Sequence, residues 1–424
     1  TSHLSSFMQM LQSGMSDGNA TVSAEAIKST SAFLCILRTK EEQDLFQPLV
    51  PQMISALTLC LQNIENGAED VDEMVARNAV ESMVMVAEAL PTFWRPQLEN
   101  VWRLMTNIAN SENMDEDTRT LAIEFILGLA EEGGGMVRKR KDLLAEFVEL
   151  LFKMCADVSE LHYDTWESYE NDDVFGDGAE EDEFATVGEQ AFDRISRAVG
   201  GKVLFPIAMP MAEAALGSSD WKFRRAGLTA LALMAEGCQK AILPNLKAIT
   251  EGIINFVEDP HHRVRYAAIH CLGQFATDFP GKFQKRCGKR VAAVLVQVID
   301  GARGGDGKKC ERLQNCGAKS LQAMSDGGMC KKDVLVPHLQ KMLEGLYNLI
   351  KNGRVKTKES CITTLSSIST VVEDAFEPFY ATFMPLLIEV LQIAPSEENA
   401  GLRGRAIECI GFLGGSVRKE VFAP

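Results

Sequence analysis

A helical hairpin of about 40 residues recurs along this sequence, and a period of that length calls for stacked units rather than one closed globule. The clearest copy is DPHHRVRYAAIHCLGQFATDF, residues 259–279. Asp259 reads as an N-cap, Pro260 suits the first helical position, and Val264, Ala268, Cys271, Leu272 and Phe275 form one apolar face at helical spacing. The amphipathic run AILPNLKAITEGIINFVE precedes it and completes the hairpin. The capped helix recurs as DTRTLAIEFILGLAEEG (117–133), WKFRRAGLTALALMAEG (221–237), ERLQNCGAKSLQAMSDG (311–327), VKTKESCITTLSSISTVVED (355–374) and LRGRAIECIGFLGG (402–415). Alignment puts Arg119, Arg224, Arg265, Gln314, Lys358 and Arg403 at one position, with successive spacings of 105, 41, 49, 44 and 45. The gap of 105 holds one more hairpin, its helices near 142–156 and 187–199, and two further second helices fall near 22–37 and 75–89. About nine hairpins result. Each buries its apolar faces only against its neighbours, so the expected fold is all-α, an α-solenoid in a curved superhelix whose concave face is lined by the second helices. The expected organisation is N-terminal hairpins over 1–155, an acidic insertion over 156–186 and central hairpins over 187–424, in one continuous solenoid. Such a face suits extended partners better than small substrates.

The recurrent basic position carries a second expectation. Arg265 stands six residues after Asp259, which is not a same-face helical spacing. It is expected to reach the cap or turn of an adjacent hairpin, so that Asp259, Arg265, Arg119, Arg224 and Arg403 form a polar ladder along the stack. Asn113 and Ser218 occupy the Asp position in two units and can still cap.

The formal net charge is -16, and it is local. From Ala156 to Asp193 there is no Lys or Arg and there are fourteen Asp and Glu, so the rest of the chain carries only -2. Asp172, Asp173, Asp177, Glu180, Glu181, Asp182 and Glu183 are the densest part, and the whole stretch reads as too charged to pack. Tyr163, Trp166, Tyr169, Phe175 and Phe184 add π surface, which suits an arm that wraps a basic partner or occupies a basic-partner groove until one arrives. Nucleic acid is disfavoured, because phosphate binding needs the opposite sign. Acids also recur near the C-terminal ends of the second helices: Glu88, Glu131, Glu132, Glu236, Asp278, Asp326, Glu373 and Asp374. A carboxylate there opposes the helix dipole at about 0.3–1 kcal/mol each. A penalty repeated in unit after unit points to a row of negative charge serving a partner. The open alternative is that these acids pair with lysines of the next hairpin.

Other functional classes find little support. No run of apolar residues is long enough to span a membrane, and TSHLSSFMQM has neither a basic nor an apolar leader region. The start without Met and the stop at Pro424 read as a piece of something longer. The eleven cysteines contain no CxxC pair and read as reduced core thiols, and neither a metal nor a cofactor is expected. DGARGGDGKKC (300–310) departs from a phosphate loop in its Gly spacing and in Lys309, so it reads as a connector. No catalytic motif set is present, and His261, His262 and His270 read as surface residues, so an enzyme is not expected.

DPHHRVRYAAIHCLGQFATDFPGKFQKRC, SSDWKFRRAGLTALALMAEGCQ, RPQLENVWRL and LRGRAIECIGFLGGSVRKEVF closely resemble the importin-beta family of nuclear transport receptors, specifically its importin-five or karyopherin-beta-three subgroup. The resemblance implies that the hairpins are HEAT repeats. It implies a carrier that binds Lys-rich signals of basic cargo such as ribosomal proteins and histones, passes nucleoporins, shuttles between cytoplasm and nucleus, and releases cargo to GTP-bound Ran. The matching signal-binding positions are Asp278, Asp326 and Glu373, with Gln274, Gln322 and Glu408 as weaker candidates; the acidic insertion is left to a basic partner or Ran. The competing readings are a HEAT scaffold that holds an enzyme, which needs neither acid feature, and a chaperone for histones or ribosomal proteins, which shares the same physics.

Overall fold

The computed structural model describes residues 2–65, 73–168, 183–302, 309–418 and 421. Nineteen α-helices of six or more residues carry them, with no β-strand among the described residues. They are α1 (Ser2–Met15), α2 (Ala20–Ile36), α3 (Val50–Glu65), α4 (Glu73–Ala89), α5 (Leu98–Asn110), α6 (Glu116–Glu132), α7 (Lys141–Ala156), α8 (Tyr163–Ser168), α9 (Glu183–Val199) and α10 (Gly201–Leu216). The remainder are α11 (Trp221–Gly237), α12 (Leu246–Ile254), α13 (His262–Asp278), α14 (Lys282–Gly301), α15 (Glu311–Ser325), α16 (Leu339–Asn352), α17 (Val355–Val372), α18 (Tyr380–Leu391) and α19 (Glu397–Ser416). All but α8 pair into nine hairpins, the all-α solenoid that the period implies.

Contacts divide the chain into two units, Thr1–Cys155 with Phe184–Met211, and Ala156–Glu183 with Ala212–Pro424. The division falls inside α10, just after Pro210; Pro206 and Pro210 each remove a backbone donor there. In the first unit Trp94, just before α5, meets Phe125 of α6 edge-on at 5.1 Å, and Trp102 meets Phe147 at 5.9 Å, joining the α5–α6 hairpin to α7 of the next. In the second, α11, α13, α15, α17 and α19 pack side by side in chain order.

The second helices start where short polar side chains can hold their first N–H groups. Asn19, Asp115, Asp220 and Ser396 accept from the first turns of α2, α6, α11 and α19. Helix α13 departs from the sequence expectation. His261, not Asp259, is its N-cap, accepting from Arg263 N at 3.3 Å, and Pro260 lies in the preceding turn. Asp259 sits too far upstream to reach the first turn, so it accepts from His261 N at 2.8 Å and points elsewhere.

Adjacent second helices approach closely through small residues. Ser320 Oγ donates to Ile269 O at 2.9 Å and Thr364 Oγ1 to Ala318 O at 3.1 Å, each linking one second helix to the one before. A Cβ on Gly273 would lie 2.7 Å from Ser320 Oγ and 3.1 Å from its Cα, a backbone that cannot yield. Gly273→Val is therefore expected to separate α13 from α15 and cost about 1–3 kcal/mol, read as a lower urea midpoint. An unchanged midpoint would mean that the helices do not meet this closely.

Ten of the eleven cysteines are buried and Cys35 is half-buried. Burial pushes the Cys238 and Cys409 thiols up to about 12, which suits inert core positions.

Candidate functional site

Asp278 ends α13, Asp326 is the C-cap of α15 and Glu373 that of α17, so three successive second helices of the second unit finish on a carboxylate. The first two are built alike. Gln274 Nε2 donates to Asp278 Oδ2 at 2.9 Å, and Gln322 Nε2 to Asp326 Oδ2 at 3.3 Å. The i, i+4 spacing places each amide over the acid it holds, which orients a charge that the helix dipole alone would repel. Asp278 is half-buried, whereas Asp326 and Glu373 are exposed. Glu373 has φ 50°, the one non-glycine positive φ among the described residues, at a helix end where glycine is usual. Lys332 Nζ lies 3.7 Å from Glu373 and 2.9 Å from Asp374, so this end of the row has a cation from the connection before α16.

One residue absent from the sequence expectation fixes the spacing of the first two acids. Buried Gln284 on α14 donates through Nε2 to Ala276 O at 3.2 Å and to Met324 O at 3.3 Å, two residues before Asp278 and Asp326. Its Oε1 accepts from Gly281 N at 2.7 Å, so the amide is fully used. Gln284 stands three residues after the positive-φ Gly281, a capping-box spacing that the sequence does show, but nothing in that spacing indicates its reach to a neighbouring helix end.

Beside the acids runs a cleft of about 690 Å³ to which α13, α15, α17 and α19 all contribute. Of the six candidates only Gln322 and Asp326 line it; Gln274, Asp278, Glu373 and Glu408 do not. Glu408 lies midway along α19, 3.0 Å from Arg405. The cleft wall also carries Glu359, Lys319 and Arg405, so its charge is mixed. In the first unit Glu131 is bound up elsewhere. Arg194 donates to it through Nε and Nη2, both at 2.8 Å, and to Glu124 at 2.7 Å; the Arg194 hydrogen bonds hold the Glu131 carboxyl below its usual range.

The recurrent basic position lies mostly within single hairpins. Arg119 donates to Ala109 O, Arg224 to Ser218 O, Gln314 to Ile299 O and Arg403 to Leu391 O, each within two residues of the end of its own first helix. These carbonyls have no partner inside their helices, so a donor is most useful there. Two of them also cross to the next hairpin: Arg224 meets Asp259 bidentately through Nε at 2.8 Å and Nη2 at 2.9 Å, and the Arg119 guanidinium lies over the Phe184 ring. Arg265 instead borders a separate hollow with Glu258 and Arg290. At Arg119, Gln314 and Arg403 these hydrogen bonds cap the residue's own hairpin, not the cap or turn of an adjacent one expected of the ladder.

The described ends of the 156–186 stretch, residues 156–168 and 183–186, depart from the reading of the stretch as too charged to pack. Asp172, Asp173, Asp177, Glu180, Glu181 and Asp182, with Tyr169 and Phe175, lie outside the described residues, and Glu183 begins α9. The preceding part is packed: Val158 is 2% and Trp166 0% exposed. Phe184 is buried under the Arg119 guanidinium, 3.6 Å from its ring centroid. His262, read as a surface residue, is buried against Trp166 at 4.4 Å between ring centroids. His261 is half-buried and stacks on Trp221 at 3.7 Å.

Among the described residues no group of three His, Cys, Asp or Glu could hold a metal ion, and no helix is long and apolar enough to cross a membrane.

A family model described as an importin repeat matches residues 111–206, one described as IPO5-like, TPR repeats matches 1–104, and a HEAT-like repeat model matches 221–275. Importin subunit beta-3 of Saccharomyces cerevisiae and the "Probable importin-5 homolog" of Dictyostelium discoideum are each 26% identical over 420 residues, 99% of this chain and 37% of the relative. The crystal structure of Kap121p superposes with a TM-score of 0.87 at 24% identity, over 98% of this chain and 38% of that one. Kap121p bound to Pho4p superposes at 0.86 with 25% identity and the same coverage. The chain thus spans a little over a third of the relatives it matches. On the joint ground of the matched repeat models, the full-length alignments and the shared solenoid, the chain belongs to the importin-β family, in its importin-5 subgroup.

Proposed function

We propose that the chain is part of a nuclear import receptor that reads Lys-rich signals of basic cargo, ribosomal proteins and histones among them, along the ends of α13, α15 and α17. Asp278, Asp326 and Glu373 would take the lysines, with Gln274, Gln322 and Glu408 contributing less. The observation that carries this reading is the repeated Gln–Asp pair at two successive helix ends, whose backbones Gln284 ties together. A carboxylate has about four acceptor sites, so an amide on one of them leaves capacity for an ammonium group. Kap121p, a solved relative, has been crystallised with Pho4p, Ulp1p and the C-terminus of Cdc14p, which supports peptide or protein cargo as the ligand class.

The geometry also suggests a register. Packed helices lie about 8–10 Å apart and an extended chain rises about 3.3 Å per residue, so neighbouring helix ends meet side chains roughly three positions apart. Lys319 and Arg405 on the cleft wall would repel cations between the acids. A signal of the form Lys-x-x-Lys-x-x-Lys, with neutral spacers, fits this better than an unbroken lysine run. Passage past nucleoporins, shuttling between cytoplasm and nucleus, and release of cargo on binding GTP-bound Ran complete the proposal for the whole receptor.

A fluorescence titration of the spaced peptide against one with the same three lysines adjacent tests the reading. The spaced form is expected to bind several-fold tighter at low salt, and both to weaken as salt rises. Equal affinity for the two, or binding indifferent to salt, would contradict it.

A further inference from the structure

The other ends of the same helices carry opposite charge. Residues 156–168 cross the N-terminal ends of α13 and α15 and reach the start of α17, and arginines hold their backbone. Arg263 donates to Ser159 O at 2.7 Å, Arg312 to Trp166 O, and Arg354 to Glu167 O at 2.8 Å. Arg354 also meets the Glu167 carboxylate at 3.1 Å. Trp166 sits between the His262 ring, the Tyr266 ring edge-on at 6.0 Å and the Arg312 guanidinium at 4.6 Å. Arg263 and Arg312 are only 1% and 2% exposed.

This cradle differs from an aliphatic core in a decisive respect. Its lining of arginine, histidine and tyrosine can be hydrated if the segment leaves, so departure does not expose a large apolar surface. The bound side is equally unlike a core residue. Trp166 is fully buried, yet its Nε1–H has no hydrogen-bond partner among the described residues, so the indole is held by its faces and by its backbone carbonyl. Carbonyl capping by arginine, stacking on an aromatic anchor and a salt bridge to the next carboxylate are the means by which a groove recognises a short peptide.

We propose that the arginine cradle on α13, α15 and α17 is a second peptide-binding site, specific for a short acidic segment bearing a Trp–Glu pair, which the chain fills with its own residues 159–167. A partner segment of the same chemistry exchanges with it. The seated segment offsets the charge of Arg354 with the Glu167 carboxylate and gives Arg263 and Arg312 backbone carbonyls as acceptors, while Asp157, Glu160 and Asp164 keep its exposed side acidic. Its departure would take the Glu167 carboxylate away from Arg354, which keeps Glu311 at 3.4 Å, and would uncover the donors of Arg263 and Arg312 on the helices that carry the acid row. This goes beyond the signal-binding proposal and does not depend on it.

The test is fluorescence anisotropy with a labelled peptide of residues 157–168, against the wild-type chain and its Trp166→Ala and Trp166→Ala/Arg312→Ala forms, with folding checked by circular dichroism. An internal ligand acts at an effective concentration in the millimolar range, so the free peptide should bind Trp166→Ala at least tenfold tighter than wild type. Loss of Arg312, or Ala in place of the peptide's Trp, should remove that gain. Equal binding to wild type and folded Trp166→Ala would overturn the proposal, as would binding indifferent to the peptide's Trp. Should Trp166→Ala unfold, Glu167→Ala provides the milder opening: it breaks the Arg354 pair and should admit the peptide several-fold better than wild type. No gain there would likewise overturn the proposal. Because the probe is acidic, failure here leaves binding of Lys-rich peptides untouched.

Discussion

Asp259→Ala is expected to destabilise the α11–α13 region by about 3–5 kcal/mol, the loss typical when one partner of a buried ion pair is removed. The Asp259 side chain is 5% and that of Arg224 15% exposed, and the two meet through paired hydrogen bonds. Alanine leaves the Arg224 guanidinium shielded from water without its carboxylate and removes the acceptor of His261 N, so the turn before α13 loosens as well. A guanidinium keeps its proton in proteins even without a carboxylate partner, so this cation does not escape by deprotonating. Stacked repeats need not unfold in one step, so the sharpest readout is hydrogen exchange in α11 and α13 rather than a global midpoint. Asp259→Asn, which keeps the shape and one acceptor, should recover part of the loss. Unchanged protection in Asp259→Ala would mean that the Arg224–Asp259 ion pair between hairpins contributes nothing to the stack.

The second large effect runs in opposite directions for binding and for stability. Changing Asp278, Asp326 and Glu373 together to Ala should weaken a Lys-rich peptide by about 1–3 kcal/mol, taking up to about 1 kcal/mol for each exposed ion pair. That is about a 5- to 150-fold loss. The same change should leave the fold as stable or slightly more so, because each carboxylate lies at a helix C-terminus against the dipole at about 0.3–1 kcal/mol. The Lys332 contact to Glu373 offsets part of that gain, and Asp374 retains Lys332. A merely structural acid row would show the reverse pattern, with stability lost and peptide affinity kept.

Period and patterning made the architecture legible. The aligned copies from Asp117 to Leu402 place α6, α11, α13, α15, α17 and α19 to within a few residues, and the gap between the first two places α9, because apolar faces at helical spacing leave few alternatives. The acid row was legible as positions, since carboxylates at helix ends violate a local preference. Its geometry was not. Gln284 reaches two neighbouring helix ends from a different helix, and no local spacing encodes that contact. Composition misled at Trp166, where a segment rich in acids reads as unable to pack. Its partners, Arg312 and Arg354, lie 146 and 187 residues downstream of the residues they bind, and a charge count over a window cannot see them. The ladder was half legible: the recurrence of Arg119, Arg224 and Arg403 was plain, but the preference for their own hairpins' carbonyls depends on where each first helix ends.

The claim that successive helix ends read successive lysines is tested most directly by double-mutant cycles. Asp278→Ala, Asp326→Ala and Glu373→Ala would each be combined with Ala at each lysine of a Lys-x-x-Lys-x-x-Lys peptide, and the nine coupling energies measured at one salt concentration. One strong partner per acid, about 0.5 kcal/mol or more, in the same order along peptide and helices, is the predicted result. Couplings spread evenly over all nine pairs would show diffuse attraction to a negative surface and contradict the account.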